Sequence, residues 1–165
     1  MGRKVAVRRA RRRDIKAIAG IMNSSGWLTE SVTEADAADM LLEKGYLFAV
    51  SRTGAALVGW QAENLVNCAD DFFVYPPDAA IELGMPLLEK LEASARELEC
   101  EVSVVLIPEE GRSALEPLLS NCGYKNKGLT KLDKTWIEVL TPFLVKDQDH
   151  VWIKRLREDR VTMPF

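Results

Sequence analysis

Ala69-Asp70-Asp71-Phe72-Phe73-Val74-Tyr75-Pro76-Pro77-Asp78-Ala79-Ala80-Ile81-Glu82-Leu83-Gly84-Met85-Pro86-Leu87-Leu88 changes character at its proline pair. Residues 71–75 are rich in aromatic and β-branched side chains and read as a short strand. Pro76-Pro77 stops it, because proline donates no ladder hydrogen bond. Beyond the break, Leu83, Leu87, Leu88, Leu91, Ala95 and Leu98 recur at helical spacing. Pro86 suits a helix in its first turn, where no N–H is needed, which places the helix start near Gly84. A strand, a breaker and a long amphipathic helix make the βα step of a domain that mixes helices with a sheet.

The flanks extend this pattern. Upstream, residues 46–51 and 56–65 read as strands joined by a turn at Arg52-Thr53-Gly54, a hairpin, with Asn67-Cys68-Ala69 as a further turn. Thr33, with Asp36 three residues on, starts a helix carrying Ala37, Met40, Leu41 and Leu42 that ends near Gly45. Val5 and Val7 alternate with polar neighbours as a first strand, and Asp14 caps a helix carrying Ile15, Ile18, Ile21 and Met22. Downstream, residues 101–107 are an apolar strand suited to burial on both faces. Residues 113–122 are a helix closed by Gly123. Residues 124–133 read as a polar strand, 136–145 as a short helix or bent strand, and 151–156 as a last strand. The fold class is α/β (α+β), a mixed, mainly antiparallel sheet with helices on both faces. No linker interrupts residues 1–165, which read as a single domain with 134–165 as a C-terminal extension.

Composition restricts the chemistry. The chain has 165 residues, 47% hydrophobic and 28% charged, which excludes a disordered, collagen-like or coiled-coil chain. No apolar run is long enough to cross a membrane and no secretory signal is visible. Gly2 follows Met1, but Ala6 stands where a myristoylation motif needs Ser or Thr. Cys68, Cys100 and Cys122 show no CxxC spacing, so they read as reduced thiols in a cytoplasmic protein. His150 is the only histidine and lies in a polar, turn-like stretch. It reads as an exposed loop residue, which leaves no histidine-based metal site or catalytic triad. No phosphate-binding GxxxxGK[ST] motif is present. The net charge is −3, yet Arg3, Lys4, Arg8, Arg9, Arg11, Arg12, Arg13 and Lys16 crowd the start of the chain. Such an arm can bind nucleic acid. The overall acidity and the lack of interleaved aromatics favour a strand running into a basic turn instead.

The stretch at residues 69–88 resembles the acetyl-CoA motif of the GNAT superfamily of N-acetyltransferases. Val5-x-Val7-Arg8-x-Ala10 followed by Asp14-Ile15 is similar to the first strand and helix of that family, and Asn121-Cys122-Gly123-Tyr124 to the end of its fourth helix. The resemblance covers the chain to about Leu132 and rests on element order more than on motif letters. It implies a sheet whose fourth strand splays from its neighbour, and acetyl-CoA as acyl donor. Phe72, Val74, Ala79, Ala80, Ile81, Glu82, Leu83 and Gly84 would lie along the coenzyme. The amides of residues 80–85 would hold its pyrophosphate at the helix start. The family's Arg or Gln falls at Ala79, its first loop glycine at Glu82 and its frequent catalytic Tyr at Leu119, and Gly84 alone is kept.

Acyl transfer to an amine needs a base, because the ammonium must first lose a proton. Asp70 and Asp71 are the catalytic candidates, and the resemblance implies that role for Asp70. Alternation along a strand directs one of the two to the site. Glu63 is a third, weaker candidate, and Trp27 and Trp60 are acceptor-pocket or core residues. Two functions stay open. One is acyl transfer from coenzyme A to a primary amine of a small molecule or protein. The other is a GNAT-like binding or regulatory domain without catalysis, which the replacements at Ala79, Glu82 and Leu119 suggest. The apolar tail residues Val161, Met163 and Phe165 suit a homodimer contact or a cover over the site. No membrane partner is expected, and nucleic acid, suggested by the basic arm alone, is the weakest of the readings.

Overall fold

The computed structural model describes residues 5–132, 134–143 and 150–158. Its elements are β1 (Ala6–Arg9), α1 (Ile15–Ser25), α2 (Glu34–Glu43), β2 (Gly45–Val50), β3 (Ala55–Glu63), β4 (Val66–Tyr75), α3 (Ala80–Glu97), β5 (Val102–Val105), α4 (Arg112–Asn121), β6 (Lys125–Gly128), α5 (Lys134–Leu140) and β7 (His150–Arg155). Seven strands form one sheet in the order β1-β2-β3-β4-β5-β7-β6. Every neighbouring pair is antiparallel except β4 with β5, the pair joined by α3. That exception follows from chemistry, since parallel neighbours need a crossover and the long amphipathic α3 supplies it.

Helices cover both faces. Successive strand residues point to opposite sides. Tyr46 lines a cleft with Ile15 of α1 and Leu41 of α2, while Leu47 lines another with Lys90 and Ser94 of α3. One core joins Ile18, Phe48, Phe72, Leu87, Leu118 and Tyr124, and a second joins Val66, Val104, Leu140 and Ile153. Cys68 and Cys100 are free and buried, and burial pushes the Cys68 thiol up. Among the described residues, no helix is long and apolar enough to cross a membrane.

Several ends form as the sequence dictates. Thr33 Oγ1 accepts from the Asp36 N–H at 3.1 Å, and Asp36 accepts from the Thr33 N–H at 2.8 Å, a reciprocal cap on α2. Such a cap stabilises by about 1 kcal/mol. After α4, Gly123 takes φ +85°. Its N–H donates to Ser120 and that of Tyr124 to Leu119, at 3.1 and 3.0 Å, satisfying the last carbonyls.

Other expectations are corrected. The β3–β4 turn is Asn64-Leu65, both at positive φ, and not residues 67–69. Asn67 lies inside β4, buried, and donates to Ser103 Oγ of β5 at 3.0 Å. Helix α3 starts at Ala80, so Pro86 lies in its second turn. Pro86 removes one ladder bond, to the Glu82 carbonyl, on a side of the helix where Glu82 and Met85 are exposed to water. Asp14 precedes α1 but makes no cap bond to it. Its carboxylate instead takes both Arg8 guanidinium nitrogens and the Arg11 N–H, each at 2.7 Å. Arg8 holds the Asp14 carboxyl down at about 2. Residues 134–140 are helical, which settles the helix-or-strand choice. His150 is the first residue of β7, not a loop residue, and β7 is no appendage: it inserts between β5 and β6. The polar strand shortens to β6, an edge strand carrying Lys125 and Lys127. Charged edges of this kind resist pairing with other chains. The tail carrying Val161, Met163 and Phe165 lies outside the described residues.

Candidate active site

The site begins where β4 and β5 part. Their pairing runs from Val66↔Val102 to Ala69↔Val105, and the Leu106 N–H then donates to the Ala69 carbonyl at 2.8 Å. Beyond Ala69, β4 continues to Tyr75 paired with β3 alone. The sheet therefore forks at Asp70.

A bulge shapes the fork. Leu57 faces Phe73 but Gly59 faces Asp70, so β4 carries one residue more than β3 across this step. Asp71 sits there with φ +49°. A bulge breaks strand alternation. That overturns the expectation that only one of Asp70 and Asp71 faces the site, because both carboxylates converge on one ammonium. Lys44 Nζ pairs with Asp70 Oδ1 and lies 2.8 Å from Asp71 Oδ2. The Tyr46 hydroxyl donates to Asp71 Oδ2 at 2.6 Å. Lys44 also sits 5.7 Å from the centre of the Tyr46 ring, within cation–π range.

Gly59 makes room for this cluster. A Cβ there would stand 2.8 Å from Tyr46 Cε1 and 2.9 Å from Lys44 Cε. Burial and the neighbouring Asp71 charge raise the pKa of Asp70, against the pull of Lys44. Burial works against the Lys44 ammonium, but the two carboxylates outweigh it and its pKa is raised. Burial, then Asp71, push the Tyr46 phenol up, so it stays a proton donor. Two carboxylates against one ammonium leave an uncompensated negative charge, which attracts a second ammonium.

The start of α3 is the other half. The Ala79 N–H donates to Pro76 at 3.0 Å and the Ala80 N–H to Pro77. Gly84 and Met85 lie inside the helix, where amides bond carbonyls four residues back. Ala79, Ala80, Leu83 and Gly84 are buried, whereas Ile81 and Glu82 are exposed. A hollow of about 340 Å³ here is lined by Thr53, Pro76, Asp78, Ala79 and Glu82, and Thr53 Oγ1 donates to Glu82 Oε2 at 3.0 Å. Acidic side chains at a helix start use up the positive potential that a phosphate would otherwise meet. Phe72, Phe73 and Val74 are buried, with Phe73 stacked on Trp27 at 6.1 Å between ring centres. A Cβ on Gly84 would lie 2.2 Å from Leu118 Cδ2, so α3 and α4 touch at this point.

The structure thus brings Asp70 and Asp71 together and adds Lys44 and Tyr46, which the sequence reading missed. Their signal was the two-residue spacing that puts Lys44, extended at the end of α2, on the same side as Tyr46 of β2. Glu63 faces Val66, at the far end of β3 from the fork. Trp60 lines the α3-side cleft, on the other face of the sheet from Lys44 and Tyr46. Leu119 is fully buried core and offers no polar group.

No family model and no curated protein sequence matches the chain. Solved structures do match. An acetyltransferase of the GNAT family from Staphylococcus aureus Mu50 aligns at TM-score 0.71 and 13% identity, over 93% of this chain and 99% of its own. The chain has the GNAT fold. A GNAT superfamily phosphinothricin acetyltransferase from Sinorhizobium meliloti, in complex with AcCoA, aligns at TM-score 0.67 and 16% identity, over 99% of this chain and 94% of its own. N-acetylglutamate synthase from Neisseria gonorrhoeae, complexed with coenzyme A and N-acetyl-glutamate, aligns at TM-score 0.67 and 16% identity over 96% of this chain, which spans 36% of that one. Strand β4 and the crossover helix follow one another as the element order led one to expect, but the helix begins at Ala80, so Gly84 and Met85, expected in the phosphate loop, lie within it. The polar side chains lining the hollow at the helix start are acidic or neutral.

Proposed function

We propose that this GNAT-fold domain transfers an acyl group from coenzyme A to a primary amine of a small molecule or protein, with Asp70 as general base. The reading rests on one observation: two carboxylates stand at the point where β4 leaves β5, with a net negative charge facing the incoming ammonium. The ammonium gives a proton to Asp70, whose raised pKa suits it to accept one. The free amine attacks the thioester carbonyl and an N–C bond forms; as the C–S bond breaks, the nitrogen gives up a proton and the leaving thiolate takes one up, giving the amide and coenzyme A thiol. Lys44 holds the carboxylates apart and oriented until the substrate arrives. The test is release of coenzyme A thiol from acetyl-CoA across a panel of primary amines. Asp70→Asn is expected to lower kcat by about 10²–10⁴-fold, the usual share of general-base catalysis. Unchanged turnover in that variant would remove Asp70 from the mechanism.

A second reading, a GNAT-fold binding domain without turnover, is favoured by Asp78 and Glu82 in the hollow at the start of α3. It expects no thiol release with any amine, and coenzyme A binding that emerges only when Asp78→Asn and Glu82→Gln are combined. Turnover by the unaltered chain rules this reading out.

A further inference from the structure

A separate cleft of about 380 Å³ opens between the β1–β2 edge and the α1/α2 pair. Arg11 and Arg12, with Arg9 on the edge strand shared with the cleft on the other face, form its polar side, and Ile15, Leu41 and Leu42 its apolar side. Lys44 and Tyr46 also line it, and these two side chains touch the carboxylates at the fork.

The arginines here are not structural in the way Arg8 is. Arg8 clamps Asp14 with both guanidinium nitrogens and lies 5.5 Å from the centre of the Phe48 ring. None of the ion pairs formed among the described residues involves Arg9, Arg11 or Arg12. Arginines crowded along one cleft repel one another, and an anion bound there relieves that repulsion. Guanidinium geometry favours a planar oxyanion that accepts two parallel hydrogen bonds. Leu42, 86% exposed, stands among the cleft's lining residues. Apolar surface beside clustered arginines suits a ligand that is itself part anion, part hydrocarbon.

We propose that this cleft binds a carboxylate carried on a short aliphatic chain. Resting on the acyl-transfer reading above, it further assigns the acceptor as an amine that bears such a group. The carboxylate would sit on the arginines and the amine would extend past Lys44 toward Asp70. The basic cluster near the chain start, paradoxical in a protein of net charge −3, then has a ligand.

The experiment is an amide-resolved NMR titration of the full chain with hexanoate, without coenzyme A, and parallel titrations with 1-hexanol, hexylammonium and inorganic phosphate. Hexanoate is expected to shift the Ala10, Ile15 and Leu41 amides saturably. Arg11→Gln with Arg12→Gln should weaken it by about tenfold or more, the value of losing charged hydrogen bonds. Both residues are exposed, and an unchanged Tm confirms that the double variant folds. Equal shifts from 1-hexanol or from phosphate, or an undiminished affinity in the double variant, would overturn the proposal. Binding is read without turnover, so a failed acyl-transfer assay and a failed hexanoate titration point to different errors.

Discussion

Lys44 bridges Asp70 and Asp71, the carboxylates that the acyl-transfer reading sets against the substrate amine. It lowers the pKa of Asp70, while burial and Asp71 raise it. Lys44→Met should therefore move the acid limb of the pH–rate profile to higher pH, because the base loses its counter-charge. A limb that stays in place or moves to lower pH would show that Lys44 does not act on the base. Asp14 carries a second pH-dependent contribution. Its pKa is depressed to about 2 by Arg8, so the unfolded chain binds the proton first and stability rises with pH across that window. The stability this pair contributes should be lost as pH falls from about 4 to 2. Asp14→Asn should remove this acid dependence in denaturant titrations. Asp70 was legible in the sequence as an acid before an aromatic strand. The convergence with Asp71 was not, because the positive φ at an aspartate leaves no compositional mark.

At the scale of elements, two glycines set close contacts, Gly84 between α3 and α4 and Gly59 at the fork. Gly84→Ala puts a methyl group 2.2 Å from Leu118 Cδ2, in a core with no slack. Overpacking of this kind costs about 1–3 kcal/mol. Leu118→Ala leaves a cavity of its own, yet in the double variant the two changes should offset each other. A double-mutant cycle by urea unfolding should show coupling, and strict additivity would mean that the two helices do not meet as described. Gly59→Ala would drive Tyr46 and Lys44 off the carboxylates and should lower activity more than stability. The order of elements could be read from periodicity and breakers because α3 is long and regular. Its start could not, because the expectation required Pro86 in the first turn. The structure instead loses that ladder bond on a solvent-exposed side. The turn at Asn64-Leu65 was also hidden, since leucine rarely adopts positive φ.

For the whole molecule, the GNAT fold emerges from one parallel contact, β4 with β5, inside an otherwise antiparallel sheet. The insertion of β7 between β5 and β6 closes that half of the sheet with residues far along the chain. Local patterning carries no information about such a long-range choice. The same parallel pair, ending at Ala69, creates the fork on which the acyl-transfer reading depends. The acidic residues at the start of α3 set the one physical conflict in that reading. Calorimetric titration of the unaltered chain with acetyl-CoA addresses it directly, with Asp70→Asn beside it. Micromolar binding by both is expected, because on the acyl-transfer reading the fork would receive the donor and Asp70 would act only on the amine. Absence of binding at millimolar acetyl-CoA would contradict the account and leave the fold as a scaffold for other ligands.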